Sequence, residues 1–177
     1  MNITLIGMSG VGKSLVGKEL SKIMKCNFID IDEMIERKYN SNLQELVEKM
    51  GKNEFLKLEE RAVLEIGKPD NLVISTGGSV IYSEKAMNFL KTISKIVFLD
   101  APLIDIKSHI PDFSKRGIVG LENGLERLFN ERHKLYKKYA DITIIMPRKL
   151  DLNIILRNII KNLYHSKIPQ NYCKEII

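Results

Sequence analysis

One short segment near the start of the chain constrains the fold more than any other feature of the sequence. Residues 7–14 read Gly-Met-Ser-Gly-Val-Gly-Lys-Ser, after the apolar run 3–6 and before a helix predicted to begin at Lys13. Glycines let successive backbone N–H groups turn toward an anion, beside a helix N-terminus that also favours negative charge. Lys13 would bring positive charge to the β- and γ-phosphates, and the Ser14 hydroxyl would ligate Mg²⁺. The segment therefore predicts a P-loop that binds a nucleoside triphosphate.

Short apolar runs alternate with stretches of helical period along the rest of the chain. Strands are predicted at residues 3–6, 28–31, 72–75, 96–99 and 142–145. Helices are predicted at residues 13–24, 33–38, 43–50, 84–91, 122–138 and 151–164, with a further helix whose apolar face is Phe55, Leu58, Ala62 and Ile66. This alternation predicts an α/β fold of the P-loop NTPase type, a mostly parallel sheet covered by helices on both faces.

The length of the chain is that of one domain. Its 177 residues contain no repeat and no linker-like segment, so residues 1–177 are expected to form a single P-loop domain. Residues 110–120 have no clear period and include Pro111, Gly117 and Gly120, which predicts a mobile lid loop. Residues 166–177 would form a C-terminal tail, to which we assign no role.

The composition is that of an ordinary globular protein, and the charge alone does not decide between a nucleic-acid partner and a site for several phosphates. The net charge is +6, but lysine is spread along the whole chain, so we expect a solvated surface and no nucleic-acid partner. No apolar run approaches the ~18 residues of a membrane span, and no basic segment precedes the first apolar run as it would in a signal peptide. Cys26 and Cys173 lie far apart, and this sparing use of cysteine fits the cytoplasm. We expect a monomer.

Two aspartates stand at the end of the second predicted strand, in Phe28-Ile29-Asp30-Ile31-Asp32. Ligands bind at the carboxyl ends of strands in such sheets, so one aspartate could hold Mg²⁺ through water while the other accepts the proton of an attacking hydroxyl. Alternatively, the pair caps the helix that follows. Asp100, after the apolar residues 96–99, is a competing metal ligand of Walker B form, although we prefer to interpret it as a turn residue.

The remaining motifs favour a kinase among P-loop proteins. A switch GTPase would carry the guanine-reading pattern N-K-x-D, which the sequence lacks, and a motor ATPase would need a longer chain. Ser75-Thr76-Gly77-Gly78 follows the third predicted strand. The two glycines could admit a ligand close to backbone N–H groups, or they could form a plain tight turn.

Together these motifs resemble the shikimate kinase family. The resemblance rests on the P-loop, the F-x-D-x-D pair, the S-T-G-G turn, Lys115-Arg116-Gly117 in the predicted lid and Glu131-Arg132-x-x-x-Tyr136, in the family's order over residues 1–163. It implies an ATP-dependent transfer of phosphate to a small carboxylated metabolite, shikimate, giving shikimate 3-phosphate for aromatic amino-acid biosynthesis.

The resemblance also implies a role for each matching residue. ATP would contact Gly10, Val11, Gly12, Lys13, Ser14 and Leu15, and Mg²⁺ would be held by Ser14 and, through water, by Asp30. Asp32 would be the catalytic base. Lys13 and Arg116 would stabilise the transferring phosphate, with Arg116 closing down from the lid. The acceptor would contact Asp32, Gly77, Gly78 and Arg132, whose guanidinium would hold its carboxylate. His109 stands where the family often has an arginine beside adenine.

The sequence departs from the family in the acceptor pocket. Leu56 replaces an arginine that binds the acceptor carboxylate, and Lys57 lies about 100° around the helix from that position. A charged hydrogen bond is worth ~1.5–3 kcal/mol, so its loss would weaken acceptor binding roughly tenfold to a hundredfold. Ser79 also follows only two glycines where the family has three.

Two rival functions remain compatible with the residues. The same scaffold could phosphorylate another small hydroxylated metabolite, such as homoserine or a sugar acid. Alternatively, the chain could be a non-catalytic module that binds a nucleotide and turns nothing over. A comparison of ADP release with shikimate, with other hydroxy acids and with no acceptor separates these functions.

Overall fold

The computed structural model describes residues 1–109, 112–113 and 117–164, and its centre is a parallel sheet. The strands are β1 (Ile3–Ile6), β2 (Asn27–Asp30), β3 (Leu72–Ser75), β4 (Lys95–Asp100) and β5 (Ile142–Ile145). They lie in the order β2-β3-β1-β4-β5, and every neighbouring pair is parallel. The predicted α/β fold with a parallel sheet is confirmed.

Seven α-helices accompany the strands within the described residues. They are α1 (Lys13–Met24), α2 (Ile31–Tyr39), α3 (Leu43–Leu64), α4 (Glu84–Ile93), α5 (Leu103–His109), α6 (Leu125–Tyr139) and α7 (Leu152–Leu163). All four residues of β1 and of β3 are buried. Because alternate side chains of a strand point to opposite faces, both faces of the sheet centre are covered. No helix among the described residues is long and apolar enough to cross a membrane.

Three local features differ from the sequence prediction. The helices predicted at 43–50 and around 55–66 form one element, α3, which is kinked at Gly51 with φ 78° and ψ 164°. The sequence Ser41-Asn42-Leu43-Gln44 has the form of a capping box that would begin with Ser41, but the N-cap of α3 is Asn42, whose side chain accepts from the Glu45 N–H. The helix α5 was not predicted, since its seven residues are too few to show a period and its Ile104 is 71% exposed.

The topology brings the predicted motifs to one edge of the sheet. The P-loop follows β1, the Asp30–Asp32 pair follows β2, and the S-T-G-G turn follows β3. Since β3 lies between β1 and β2 and all three are parallel, their carboxyl ends meet there. This is the place where parallel α/β sheets bind their ligands.

Candidate active site

The P-loop holds its lysine inside the fold. The Lys13 ammonium donates to the backbone oxygens of Gly7 at 2.9 Å and Met8 at 3.0 Å, and the residue is 8% exposed. Burial lowers the pKa of Lys13 to about 8, against the opposing influence of Asp32 and Asp30. Lys13 is thus protonated at neutral pH, and bound phosphate would favour its charged form further.

The start of α1 is open to an anion. Its N-cap, Gly12, has φ 97°, a left-handed conformation that favours glycine, and no side chain caps the helix. The first N–H groups of the helix therefore have no side-chain acceptor. A cavity of about 310 Å³, which we call the phosphate cavity, lies over these N–H groups. Its lining is Ser9, Gly10, Gly12, Lys13, Ser14, Leu15, Asp32, Thr76 and Gly78.

Val11 and Leu15 differ from the other predicted nucleotide contacts. The Val11 side chain is 4% exposed and packs in the core, so only its backbone could meet a phosphate. Leu15 is 43% exposed at the rim of the cavity.

The sequence left two interpretations of Asp30 open, a helix cap and a magnesium ligand, and its contacts are compatible with both. Its Oδ1 caps α2 by accepting from the N–H groups of Asp32 and Glu33 at 3.0 and 3.3 Å. Its Oδ2 accepts from the Ser14 hydroxyl at 2.6 Å. The same carboxylate therefore fixes the start of a helix and faces the P-loop hydroxyl.

The Ser14–Asp30 pair fits Mg²⁺ in the manner of phosphoryl-transfer sites. The described residues contain no group of three or more His, Cys, Asp or Glu that could hold a metal. Mg²⁺ in such sites takes only one or two protein oxygens and completes its shell with phosphate oxygens and water. A hydroxyl and a carboxylate 2.6 Å apart match that donor set.

Asp100 ends β4, which β1 and β3 separate from Asp30 at the end of β2. Both of its carboxylate oxygens lie near His133 Nε2, at 3.1 and 3.2 Å. The His133 ring stacks on Phe129, with ring centroids 5.4 Å apart. The Asp100 carboxylate is therefore engaged by His133, and the Asp30–Asp32 pair stays our proposed metal and base site.

Asp32 lies in the first turn of α2 and is one of the residues that line both cavities of the site. Its Oδ1 is shielded from solvent and has no hydrogen-bond partner. Burial and the neighbouring charge of Asp30 raise the pKa of Asp32 from an ordinary 3.8 to about 6, although Lys13 opposes the shift. A carboxylate with this pKa is ionised at neutral pH and still basic enough to accept a proton.

A second buried carboxylate, Glu59 of α3, faces Asp32 across the S-T-G-G turn. Glu59 is 2% exposed, and its Oε2 accepts from the Ser79 hydroxyl at 2.6 Å. Burial and the charge of Asp32 raise the pKa of Glu59 from 4.5 to about 8. A Cβ on Gly77 would collide with Glu59 Oε1 and lie 2.7 Å from Asp32 Oδ1, so only glycine fits between them.

Arg132 of α6 supplies the buried positive charge of this region. It is 1% exposed, donates from Nη2 to the Val119 backbone oxygen at 2.6 Å, and lies over the Tyr82 ring at 5.4 Å. Its Nε is buried without a hydrogen-bond partner. A Cβ on Gly78 would lie 2.8 Å from Arg132 Nη1, so the glycine lets the guanidinium approach the turn.

Tyr136 anchors the same turn from one helical turn farther along α6. Its hydroxyl donates to the Gly78 backbone oxygen at 2.6 Å, and burial raises its pKa. The ring stacks on Phe98 of β4 with centroids 5.1 Å apart. The E-R-x-x-x-Y motif therefore places a guanidinium and an anchoring hydroxyl on one helix face.

These groups enclose a second, smaller cavity. It has a volume of about 20 Å³, room for little more than one water molecule. Its lining is Ser9, Asp32, Leu43, Phe55, Glu59, Gly77, Gly78, Ser79, Gly117, Ile118 and Arg132. It shares Ser9, Asp32 and Gly78 with the phosphate cavity. We call it the acceptor cavity.

Residues 117–120, the closing segment, contribute Gly117 and Ile118 to the wall of the acceptor cavity. The Gly117 N–H donates to Gln44 Oε1 of α3 at 2.6 Å, and the Val119 backbone oxygen accepts from Arg132. A compound larger than water needs part of the lining to shift. A larger groove of about 1,050 Å³, on α6 around Gly124 and Lys134, shares no lining residue with the P-loop.

Some predicted site residues cannot be placed here. Arg116 and part of the predicted lid, residues 110–111 and 114–116, lie outside the described residues, as do the side chain of His109 and residues 165–177. Leu56 is half-buried and packs against the core, and it does not line the acceptor cavity. Lys57 is exposed and pairs with Glu54 at 2.8 Å, so it does not replace the missing arginine.

Sequence reasoning gave Glu59 no role, although the structure makes it central to the acceptor cavity. The available signal was a charged residue within the apolar face of α3, four positions after Phe55 and three before Ala62. A carboxylate on a buried helix face needs a local partner, here the hydroxyl of Ser79.

Comparison with known proteins agrees with this geometry. The family model of shikimate kinase matches residues 9–164. A shikimate kinase of Clostridium beijerinckii is 37% identical over 166 residues, 91% of this chain and 96% of that protein. One from Aquifex aeolicus is 35% identical over 81% of this chain and 86% of that protein.

Solved structures give the same result. The Aquifex aeolicus shikimate kinase superposes with a TM-score of 0.79 and 31% identity, covering 94% of this chain and 98% of that one. The Acinetobacter baumannii shikimate kinase in complex with shikimate gives a TM-score of 0.85 and 27% identity, covering 95% of each chain. A gluconokinase of Sinorhizobium meliloti, at 16% identity and a TM-score of 0.50, shares the fold alone. The chain belongs to the shikimate kinase family.

Proposed function

We propose that this chain transfers the γ-phosphoryl group of ATP to a hydroxyl of shikimate, with Mg²⁺ as the cofactor. The observation that carries the proposal is the position of Asp32, whose side chain lines both the phosphate cavity and the acceptor cavity. A group at that junction is within reach of an acceptor hydroxyl and of the phosphate that it attacks. Membership in the family supports shikimate as the acceptor.

The phosphate side of the reaction depends on charge and positioning. The N-terminus of α1 and the Lys13 ammonium would hold the β- and γ-phosphates and stabilise the charge that develops during transfer. Ser14 and Asp30 would hold Mg²⁺, which neutralises phosphate charge when bound. Arg116 would add positive charge from the lid, as the family resemblance implies.

The acceptor side depends on one proton transfer. Oδ1 of Asp32 has no partner, so it can accept the proton of the acceptor hydroxyl as the oxygen attacks the γ-phosphorus. The bond between that phosphorus and the leaving oxygen of ADP breaks in the same transfer. Arg132 would hold the carboxylate of the acceptor, since a guanidinium pairs with a carboxylate through parallel N–H donors.

Protein partners and location complete the proposal. The sparing use of cysteine supports the cytoplasm as the location of the chain, and the distributed lysines support the absence of a nucleic-acid partner. We also propose that the chain is a monomer. Sedimentation at micromolar concentration checks the monomer, with a dimer as the result that would contradict it. Oligonucleotide binding that weakens with salt would contradict the absence of a nucleic-acid partner.

ADP release tests the proposed function. The assay contains ATP and Mg²⁺ and compares shikimate with homoserine, gluconate and no acceptor. We expect saturable ADP release with shikimate, well above the rate without acceptor. ADP release with another hydroxy acid and none with shikimate would identify that hydroxy acid as the acceptor instead. The leucine at position 56, in place of the family's arginine, would then explain the change of acceptor. ATP binding without release in any reaction would indicate a non-catalytic module.

A further inference from the structure

The acceptor cavity has little positive charge for a substrate that is itself an anion. Arg132 is its one cationic lining residue among the described parts of the chain, and it lies near the carboxylate of Asp32. One Arg132 nitrogen, Nη2, is already bound to the Val119 oxygen. A carboxylate that enters beside the ionised Asp32 would gain from a second positive charge.

Helix α3 presents a candidate for this charge one turn before Leu56. Lys52, Phe55 and Glu59 are spaced i, i+3 and i+7, so they lie on one face of the helix. Phe55 and Glu59 line the acceptor cavity. Lys52 therefore lies on the same face, nearer to the kink at Gly51.

The contacts of Lys52 place its ammonium against the closing segment. A Cβ on Gly120 would lie 4.0 Å from Lys52 Nζ, so the ammonium is next to the last residue of that segment. Lys52 has a long ion pair with Glu122, 3.9 Å from Nζ to Oε1, and its side chain is 47% exposed. An exposed pair of this length stabilises little and leaves the ammonium available to another anion.

We propose that Lys52 is the second cation for the acceptor carboxylate, binding it together with Arg132 where the family uses the arginine that Leu56 replaces. The inference rests on the proposed function. The acceptor cavity must enlarge to admit shikimate, so the closing segment shifts away from α3 when the acceptor enters. The Lys52 ammonium, which now lies against Gly120, then turns from Glu122 to the incoming carboxylate.

The test compares Lys52→Met with Lys57→Met, which removes an exposed lysine from the same helix. We expect Lys52→Met to raise the KM for shikimate about tenfold, as the loss of one charged contact would, while kcat and the KM for ATP stay within about twofold. Lys57→Met should leave all three constants unchanged. Lys52→Arg keeps the charge and should retain a KM close to that of the wild type.

An acceptor without a charged carboxylate shows whether Lys52→Met acts by losing a contact to that carboxylate or by disturbing the structure. With the methyl ester of shikimate, wild type and Lys52→Met should have the same KM within about twofold. An equal rise in KM for acid and ester would overturn the proposal, as would an unchanged KM for shikimate in Lys52→Met. Wild-type enzyme that releases no ADP with shikimate would overturn the proposed function itself, a result distinct from either of these.

Discussion

At the scale of single residues, two buried atoms of the site without hydrogen-bond partners indicate what kind of acceptor would bind there. Asp32 Oδ1 and Arg132 Nε are both buried without hydrogen-bond partners. Leaving such atoms unpaired costs about 1–3 kcal/mol each, and a ligand in the cavity would supply the missing partners. A hydroxyl would donate to the carboxylate oxygen, and a carboxylate would accept from the guanidinium. The two atoms together therefore match a hydroxy acid.

Lys13 gives a prediction at this scale. Lys13→Ala should lower the shikimate-dependent rate by on the order of a hundredfold or more, because it removes a positive charge aimed at the transferring phosphate. The measurement is ADP release at saturating acceptor. Lys18→Ala is the matched control, since Lys18 is on the same helix but forms an exposed ion pair with Glu33. Equal rates in the two variants would contradict the role of Lys13.

The sequence predicted some of these residues and not others for a physical reason. Lys13 and Asp32 belong to local motifs whose spacing indicates their chemistry, whereas the role of Arg132 is implied only by the family resemblance. The environment of Glu59 depends on Ser79, which is 20 positions away and meets it only in the folded chain. No local pattern specifies that contact.

At the scale of elements, Asp30 links the start of a helix to the P-loop. The carboxylate caps α2 with one oxygen and accepts from Ser14 with the other. The position of Asp32, two residues beyond the cap, therefore depends on a group that also contacts the P-loop hydroxyl of Ser14, our proposed Mg²⁺ ligand. The capping and metal interpretations of the aspartate pair do not compete, because Asp30 has an oxygen for each.

Two substitutions of Asp30 separate its two roles. Asp30→Ala should lower the free energy of unfolding by about 1 kcal/mol through loss of the cap, whereas Asp30→Asn keeps a capping oxygen and should change it by only a few tenths. Both variants should need more Mg²⁺ for half-maximal ADP release, since both remove the carboxylate. Denaturant unfolding and a Mg²⁺ titration measure the two effects. A normal Mg²⁺ requirement in Asp30→Asn would contradict the metal role.

Four elements of the secondary structure were predicted with the bounds that the structure has. They are β1, β3, β5 and α1. The prediction gave two helices where the structure has α3, and the chain does leave helical geometry at Gly51, with φ 78° and ψ 164°, before it continues as helix. The short helix α5 gave no signal, since seven residues make fewer than two helical turns.

At the scale of the whole molecule, the active site reduces stability in a pH-dependent manner. Asp32 and Glu59 have pKa values of about 6 and about 8 in the fold, above their ordinary values of 3.8 and 4.5. Between these values, the folded state holds protons that the unfolded chain has already released. The two carboxyl groups therefore contribute fully to the free energy of unfolding below pH ~4, and their contribution is lost as the pH rises to ~8. Lys13, with its lowered pKa, acts in the opposite direction only above pH ~8.

Glu59→Gln tests this account of stability. The wild-type protein without ligands should lose free energy of unfolding between pH 5 and pH 8. In Glu59→Gln most of that loss should disappear, so that the variant is more stable than wild type at pH 8 by more than about 1 kcal/mol. Denaturant unfolding at several pH values measures the difference. Parallel pH curves for the two proteins would contradict the buried, protonated state of Glu59.

The central claim is that Asp32, at the junction of the phosphate and acceptor cavities, takes the proton of the acceptor hydroxyl. The most direct measurement is the turnover of Asp32→Asn with shikimate, alongside its affinity for ATP. We expect kcat to fall by about 10²–10⁴-fold with ATP affinity nearly unchanged, because an amide cannot accept the proton. Wild-type kcat/KM should rise with pH through about 6, as Asp32 ionises. Near-normal turnover in Asp32→Asn would contradict the account.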